Sequence, residues 1–144
     1  VGLIKRALEI EERDSQVVMQ LYLVEDDPEC RKILYTLLRD YEYHKAMLAE
    51  VVECFHVGAL SIIEVRDYNF KDMFFDQRYL TLKKIETLAR DFYKSLLEDL
   101  KAGKMGIEAM CDEQIGEKLI STLETLVEWE EEHIEMVERL RSIS

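Results

Sequence analysis

Leu119, Leu123, Leu126, Val137 and Leu140 recur three and four residues apart, the spacing of one face of an α-helix. The gaps in that series fall at Glu130 and His133. A helix laid on a core by this seam points a carboxylate and an imidazole inward, one turn apart. Buried charge without partners is costly. Any fold built on this seam has to supply those partners.

The rest of the chain favours long helices. There is one proline and there are five glycines in 144 residues, too few breakers for many short strands. With 48% hydrophobic and 35% charged residues, the composition is that of a folded chain with a sizeable core, and residues 1–144 read as a single domain. The net charge of −12 argues against nucleic acid and anionic membranes as partners, since both require basic patches. No apolar run approaches the ~20 residues of a membrane span. No basic-then-apolar signal segment opens the chain, and the cytoplasm is the expected compartment. Cys30, Cys54 and Cys111 are far apart and form no C-x-x-C pair. They read as free, mostly buried thiols rather than as a rubredoxin-type or zinc-ribbon module.

The spacing predicts four helices. The first runs from about Leu3 to Val24. Asp27 and Pro28 suit the N-cap and first turn of a second helix, which runs to about Val57 before Gly58. The third spans about Arg78 to Lys101, with Gly103 as its C-terminal cap. Lys104 to Cys111 reads as a loop, and the fourth helix runs from about Asp112 to Arg141. The stretch from Gly58 to Tyr79 has no clean period but carries Ile62, Tyr68, Phe70 and Phe74. It is too apolar for a free linker, and is expected to pack along the bundle or against a second subunit. About twenty extended residues reach up to ~65 Å, enough to run the length of a long helix. The two halves also resemble each other, with Glu12 placed on Glu86 and His44 on His133.

Each helix carries a polar residue on its apolar seam. The second reads Leu34, Leu37, Tyr41, His44, Leu48, Val51; the third reads Leu82, Glu86, Ala89, Tyr93, Leu96. The first reads Leu8, Glu12, Ser15, Met19, Tyr22, although a register through Glu11 and Val18 fits nearly as well. Each residue alone has an ordinary reading as a solvated carboxylate or a hydrogen-bonded core histidine. Together, Glu12, His44, Glu86, Glu130 and His133 lie mid-helix and can converge in an antiparallel bundle. Carboxylates and imidazoles in one cluster suit iron, manganese or zinc.

At these residues the chain resembles the ferritin-like superfamily, and within it the rubrerythrin-like di-iron proteins. Ile85-Glu86-x-x-Ala89-x-x-Phe92-Tyr93 is similar to that family's third helix, and Glu130-x-x-His133 to its last. The resemblance implies an all-α, ferritin-like four-helix bundle of two helical hairpins joined by a long crossover. It also implies two iron ions, a homodimer and, without a rubredoxin domain, an external electron donor. The family would place a second Glu-x-x-His on the second helix. Here Tyr41 precedes His44, and Glu42, one residue off, substitutes only if a π-bulge rotates it inward.

The expected activity is peroxide or dioxygen reduction, or oxidation of ferrous iron, with Tyr41 or Tyr93 donating a proton or hydrogen bond. The alternative is a non-catalytic helical module with a degenerate metal site, acting through protein–protein interaction. Iron storage is a third reading and requires a cage-forming oligomer.

Overall fold

A computed structural model describes residues 2–54, 65–103 and 113–143, with side chains over 5–51, 65–103 and 116–140. Four helices follow in order: α1 (Gly2–Val24), α2 (Pro28–Cys54), α3 (Phe75–Lys101) and α4 (Glu113–Ile143). A short 3-10 turn, Phe70–Asp72, precedes α3. No strand occurs among the described residues. None of the helices described is long and apolar enough to cross a membrane.

The helix ends follow local chemistry. The Asp27 carboxylate accepts a hydrogen bond from the Cys30 backbone N–H at 3.0 Å, and Pro28 opens α2. At the end of α3, Gly103 adopts φ 68°, a left-handed conformation that favours glycine. Its N–H bonds the Leu100 carbonyl at 3.1 Å and closes the last turn. The α3 helix begins three residues before the expected Arg78, because Phe75 packs over the Tyr79 ring at 4.6 Å and extends the buried stripe. The expected α2 end at Val57 and Gly58 and the expected loop from Lys104 to Cys111 lie outside the described residues.

The helices pack in the ring order α1–α2–α4–α3, with the closest associations within the two hairpins. The start of α3 lies by the end of α1: the Tyr79 hydroxyl donates to Glu25 at 2.8 Å, and Arg78 approaches the same carboxylate at 3.6 Å. Thus α2 and α3 begin at the same end of the bundle. A 27-residue α2 is ~40 Å long at ~1.5 Å per residue, so the end of α2 and the start of α3 lie at opposite ends of the bundle. The described part of the crossover between them is anchored by Gln20. This side chain donates to the Arg66 carbonyl and accepts from the Tyr68 N–H, both at 3.0 Å. Phe70 is buried, and Val65, Tyr68 and Met73 pack on the same core. The described part of the crossover thus packs on its own bundle through these residues, while Phe74 is exposed. The large exposed apolar side chains include Met19, Leu23, Tyr35 and Tyr43 on α1 and α2.

The core has two apolar parts. One contains Ala7, Leu48, Val51, Ala89, Leu96, Leu119, Leu123 and Leu126. The other contains Val17, Leu21, Leu34, Leu37, Tyr41, Leu82, Val137 and Leu140. On every helix a buried Glu or His falls between these two sets: Glu11, His44, Glu86, and Glu130 with His133. Cys30 is free and buried, and burial pushes its thiol up to about 11. The side chains of Cys54 and Cys111 lie outside those described.

Candidate metal centre

Between the two apolar parts, Glu11, His44, Glu86, Glu130 and His133 are buried together. Each helix delivers its ligand by the seam that buries its Leu and Val residues, so the apolar pattern drives the polar groups inward. On α4 that pattern is the Glu130-x-x-His133 interruption. On α2 it is Tyr41-x-x-His44, and on α3 it is Glu86 with Ala89 and Tyr93.

Two sets of donor atoms form, each with its atoms within 4.8 Å of one another. One is Glu11, His44 and Glu130, and the other is Glu86, Glu130 and His133. Glu130 belongs to both. Its Oε1 lies 3.6 Å from His44 Nδ1, and its Oε2 lies 3.7 Å from His133 Nδ1. Each oxygen therefore faces a different histidine. Glu11 Oε2 approaches His44 Nδ1 at 3.3 Å, and Glu86 Oε2 approaches His133 Nδ1 at 3.3 Å. For metal bonds of ~2.1 Å, tetrahedral donors sit about 3.4 Å apart. The spacings match that requirement.

The electrostatics without a cation are unfavourable. Neither oxygen of Glu130 has a hydrogen-bond partner, and Glu86 Oε1 also lacks one. Burial, then the neighbouring Glu86 charge, pushes Glu130 up to about 8. Burial likewise raises Glu11 against the lowering effect of His44. Burial alone would lower His133, but hydrogen bonds with Asp40 and Glu86, together with the neighbouring Glu130 carboxylate, outweigh it and hold the imidazole well above its ordinary range. Carboxylates with orphaned oxygens in a water-excluded core are the donor set a cation satisfies. The buried Glu and His groups are thus arranged so that they can hold a metal ion.

Supporting contacts differ between the sets. Asp40 Oδ2 lies 3.0 Å from His133 Nε2, which fixes the ring and leaves Nδ1 facing Glu130 and Glu86. His44 Nε2 has no partner; its ring rests against Trp129 at 5.0 Å and stacks on His133 at 5.5 Å. The Tyr93 hydroxyl donates to Glu11 at 2.6 Å and so holds that carboxylate in place. The Tyr41 hydroxyl is buried and unpartnered, with its ring edge-on to His133 at 5.6 Å.

Of the six expected ligands, the structure gathers His44, Glu86, Glu130 and His133. It does not bring in Glu12 or Glu42. Glu12 is turned to Gln16 and Lys45, both at 3.0 Å, and its place is taken by Glu11. The reason is packing: the Glu11 register buries Ala7, Val17, Val18 and Leu21, whereas the Glu12 register would have buried Ser15, Met19 and Tyr22. The internal match shifts accordingly. With Glu11 on Glu86, the buried Ala7, Asp14, Val18 and Leu21 fall on the buried Leu82, Ala89, Tyr93 and Leu96. Glu42 is exposed and ion-paired to Lys45 at 2.7 Å. The α2 helix is regular α-helix throughout, so no π-bulge rotates Glu42 inward.

Asp40 and Asp14 were not foreseen. Asp40 sits one turn before His44, a spacing that could have flagged it. Asp14 lies one turn after Glu11, is fully buried and leaves Oδ2 unpartnered. Its signal was hidden by the Glu12 register. No protein-family model, curated protein or solved structure matches the chain.

Proposed function

We propose that the chain is a ferritin-like, rubrerythrin-type protein that binds two metal ions, iron by preference, and uses them in peroxide or dioxygen reduction or in ferrous iron oxidation. One observation carries this reading: both Glu130 oxygens are buried and unpartnered, and each faces the Nδ1 of a different histidine. A carboxylate so placed is suited to bridge two cations. Glu11 and His44 would complete one set, and Glu86 and His133 the other. The ring order of the helices and the long connection from α2 to α3 support the ferritin-like part of the reading.

When bound, two ferrous ions would supply one electron each, so that hydrogen peroxide and two protons become two waters, and an external donor would restore the ferrous state. The protein's own groups have separable tasks. Three carboxylates would offset three of the four positive charges of two ferrous ions, and the apolar parts on either side exclude bulk water. Tyr93 is committed to positioning Glu11. The Tyr41 hydroxyl is the one left free to donate to a bound oxidant.

Elemental analysis after growth in metal-replete medium tests the reading. About two ions per chain are expected, as in other di-metal carboxylate bundles; protein lacking stoichiometric iron, manganese or zinc would overturn it. A homodimer belongs to the same reading and is checked by sedimentation.

The second reading is a non-catalytic module whose polar groups satisfy one another. The contacts of His133 with Asp40 and Glu86 favour it, as does Tyr41 in place of a second motif glutamate. It expects no metal and only a stability change on Glu130→Ala.

A further inference from the structure

A cavity of about 390 Å³ opens between α1, the crossover and α3. Its lining brings together Arg13, Arg66 and Lys84, a local positive field on a chain whose net charge is −12. The three cations are not equally neutralised. Arg13 is paired with the buried Asp14 carboxylate at 3.1 Å. Arg66 and Lys84 have no carboxylate partner among the described residues. Asp67, next to Arg66 in the chain, instead accepts from the Asn69 N–H. The Arg66 guanidinium lies over the Tyr68 ring at 5.1 Å, which holds its charge at the cavity rim.

Met73, Ile85 and Leu88 contribute the apolar part of the same lining. The volume falls within the ~300–1,000 Å³ range of small-molecule sites and far exceeds a bare inorganic anion. Cationic rim and apolar wall together define the ligand's chemistry. We propose that this cavity binds a small amphipathic anion, an oxyanion head on an apolar body. The head would meet Arg66 and Lys84, and the body would lie against Tyr68, Met73 and Leu88. None of the residues lining this cavity belongs to the Glu–His cluster.

Titration calorimetry at fixed ionic strength with octanoate, octyl phosphate and 1-octanol tests the proposal. One of the two anions should bind at a single site, with the neutral alcohol about tenfold weaker or more, as expected for loss of charge-assisted hydrogen bonds. Whichever anion binds more tightly identifies the head as carboxylate or phosphate. The double variant Arg66→Ala, Lys84→Ala should lose that preference and keep its melting temperature, and Arg66→Lys, Lys84→Arg should retain it. Equal binding of octanol, no binding by either anion, or an anion preference unchanged in the alanine variant would overturn the proposal.

Discussion

The two histidines hold matching places in the two hairpins and are supported differently. His133 follows a glutamate by one turn, and both of its ring nitrogens face carboxylates. His44 follows Tyr41 by one turn, and its Nε2 has no partner. The difference traces to one substitution in an otherwise parallel pattern: Tyr41 and Glu130 occupy corresponding positions between Leu37 and Leu48 and between Leu126 and Val137. A tyrosine keeps the seam apolar and contributes its ring to the core, but it removes a charged donor. The His133 ring is therefore held at both nitrogens by Asp40 of α2 and Glu86 of α3, whereas the His44 ring is held only at Nδ1, by what Glu11 and Glu130 bring to it.

The sharpest way to break this comparison is Glu130→Gln. The substitution removes the charge common to both donor sets, so metal content should fall to background by elemental analysis. Retention of one ion would show that one set works without the bridging carboxylate. Next come His133→Ala and His44→Ala. Each should cost about one of two ions if the sets are separate. They should differ in the metal-free protein. His133→Ala leaves Asp40 and Glu86 without their shared imidazole and should destabilise by on the order of 3 kcal/mol, as for a broken buried ion pair. His44→Ala strips two carboxylate contacts, both made through one ring nitrogen, against three at both nitrogens of His133, and should cost less. Equal losses in denaturant midpoint would erase the distinction.

A smaller effect concerns pH. Glu130 is raised from 4.5 to about 8 by burial and Glu86, and His133 is raised well above 6.5 by its carboxylate neighbours. In both cases the folded state holds its proton over a range where the unfolded chain has lost it. Both contributions to stability are therefore present at low pH and are lost as pH rises through the folded values. Asp40 is lowered, so its contribution is fully present above its ordinary value of 3.8, is lost only as pH falls below it, and does not vary over this range. The melting temperature of chelator-treated protein should fall from about pH 5 to about pH 8.5. Metal binding displaces these protons, so the gain in melting temperature on adding manganese or zinc should widen over the same range. A rising metal-free curve would contradict the assignment.

The smallest effects belong to Glu12→Gln and Glu42→Gln. Both carboxylates face Lys45 at the surface, and each substitution should change stability by no more than about 0.5 kcal/mol. Metal content should not change. A lost ion in either variant would mean that the helix rotates on loading.

By itself the sequence determined four amphipathic helices and four inward Glu and His residues. The reason is that those features are periodic: Leu and Val at three- and four-residue spacing fix which face is buried, and an ionisable residue on that face is legible as an exception. His44, Glu86, Glu130 and His133 all stand on such unambiguous faces. The α1 helix is different, because its two candidate faces have similar apolar content. Only packing against α2 and α3 decided between them, by burying Ala7, Val18 and Leu21 and by giving Glu11 the Tyr93 hydroxyl and His44 as partners. Asp14 is buried by that same choice of face and has only Arg13 of its own helix as partner, whereas Asp40 meets His133 of α4. Which face of α1 turns inward, and which imidazole Asp40 meets, depends on other helices, which no single helix's periodicity can specify.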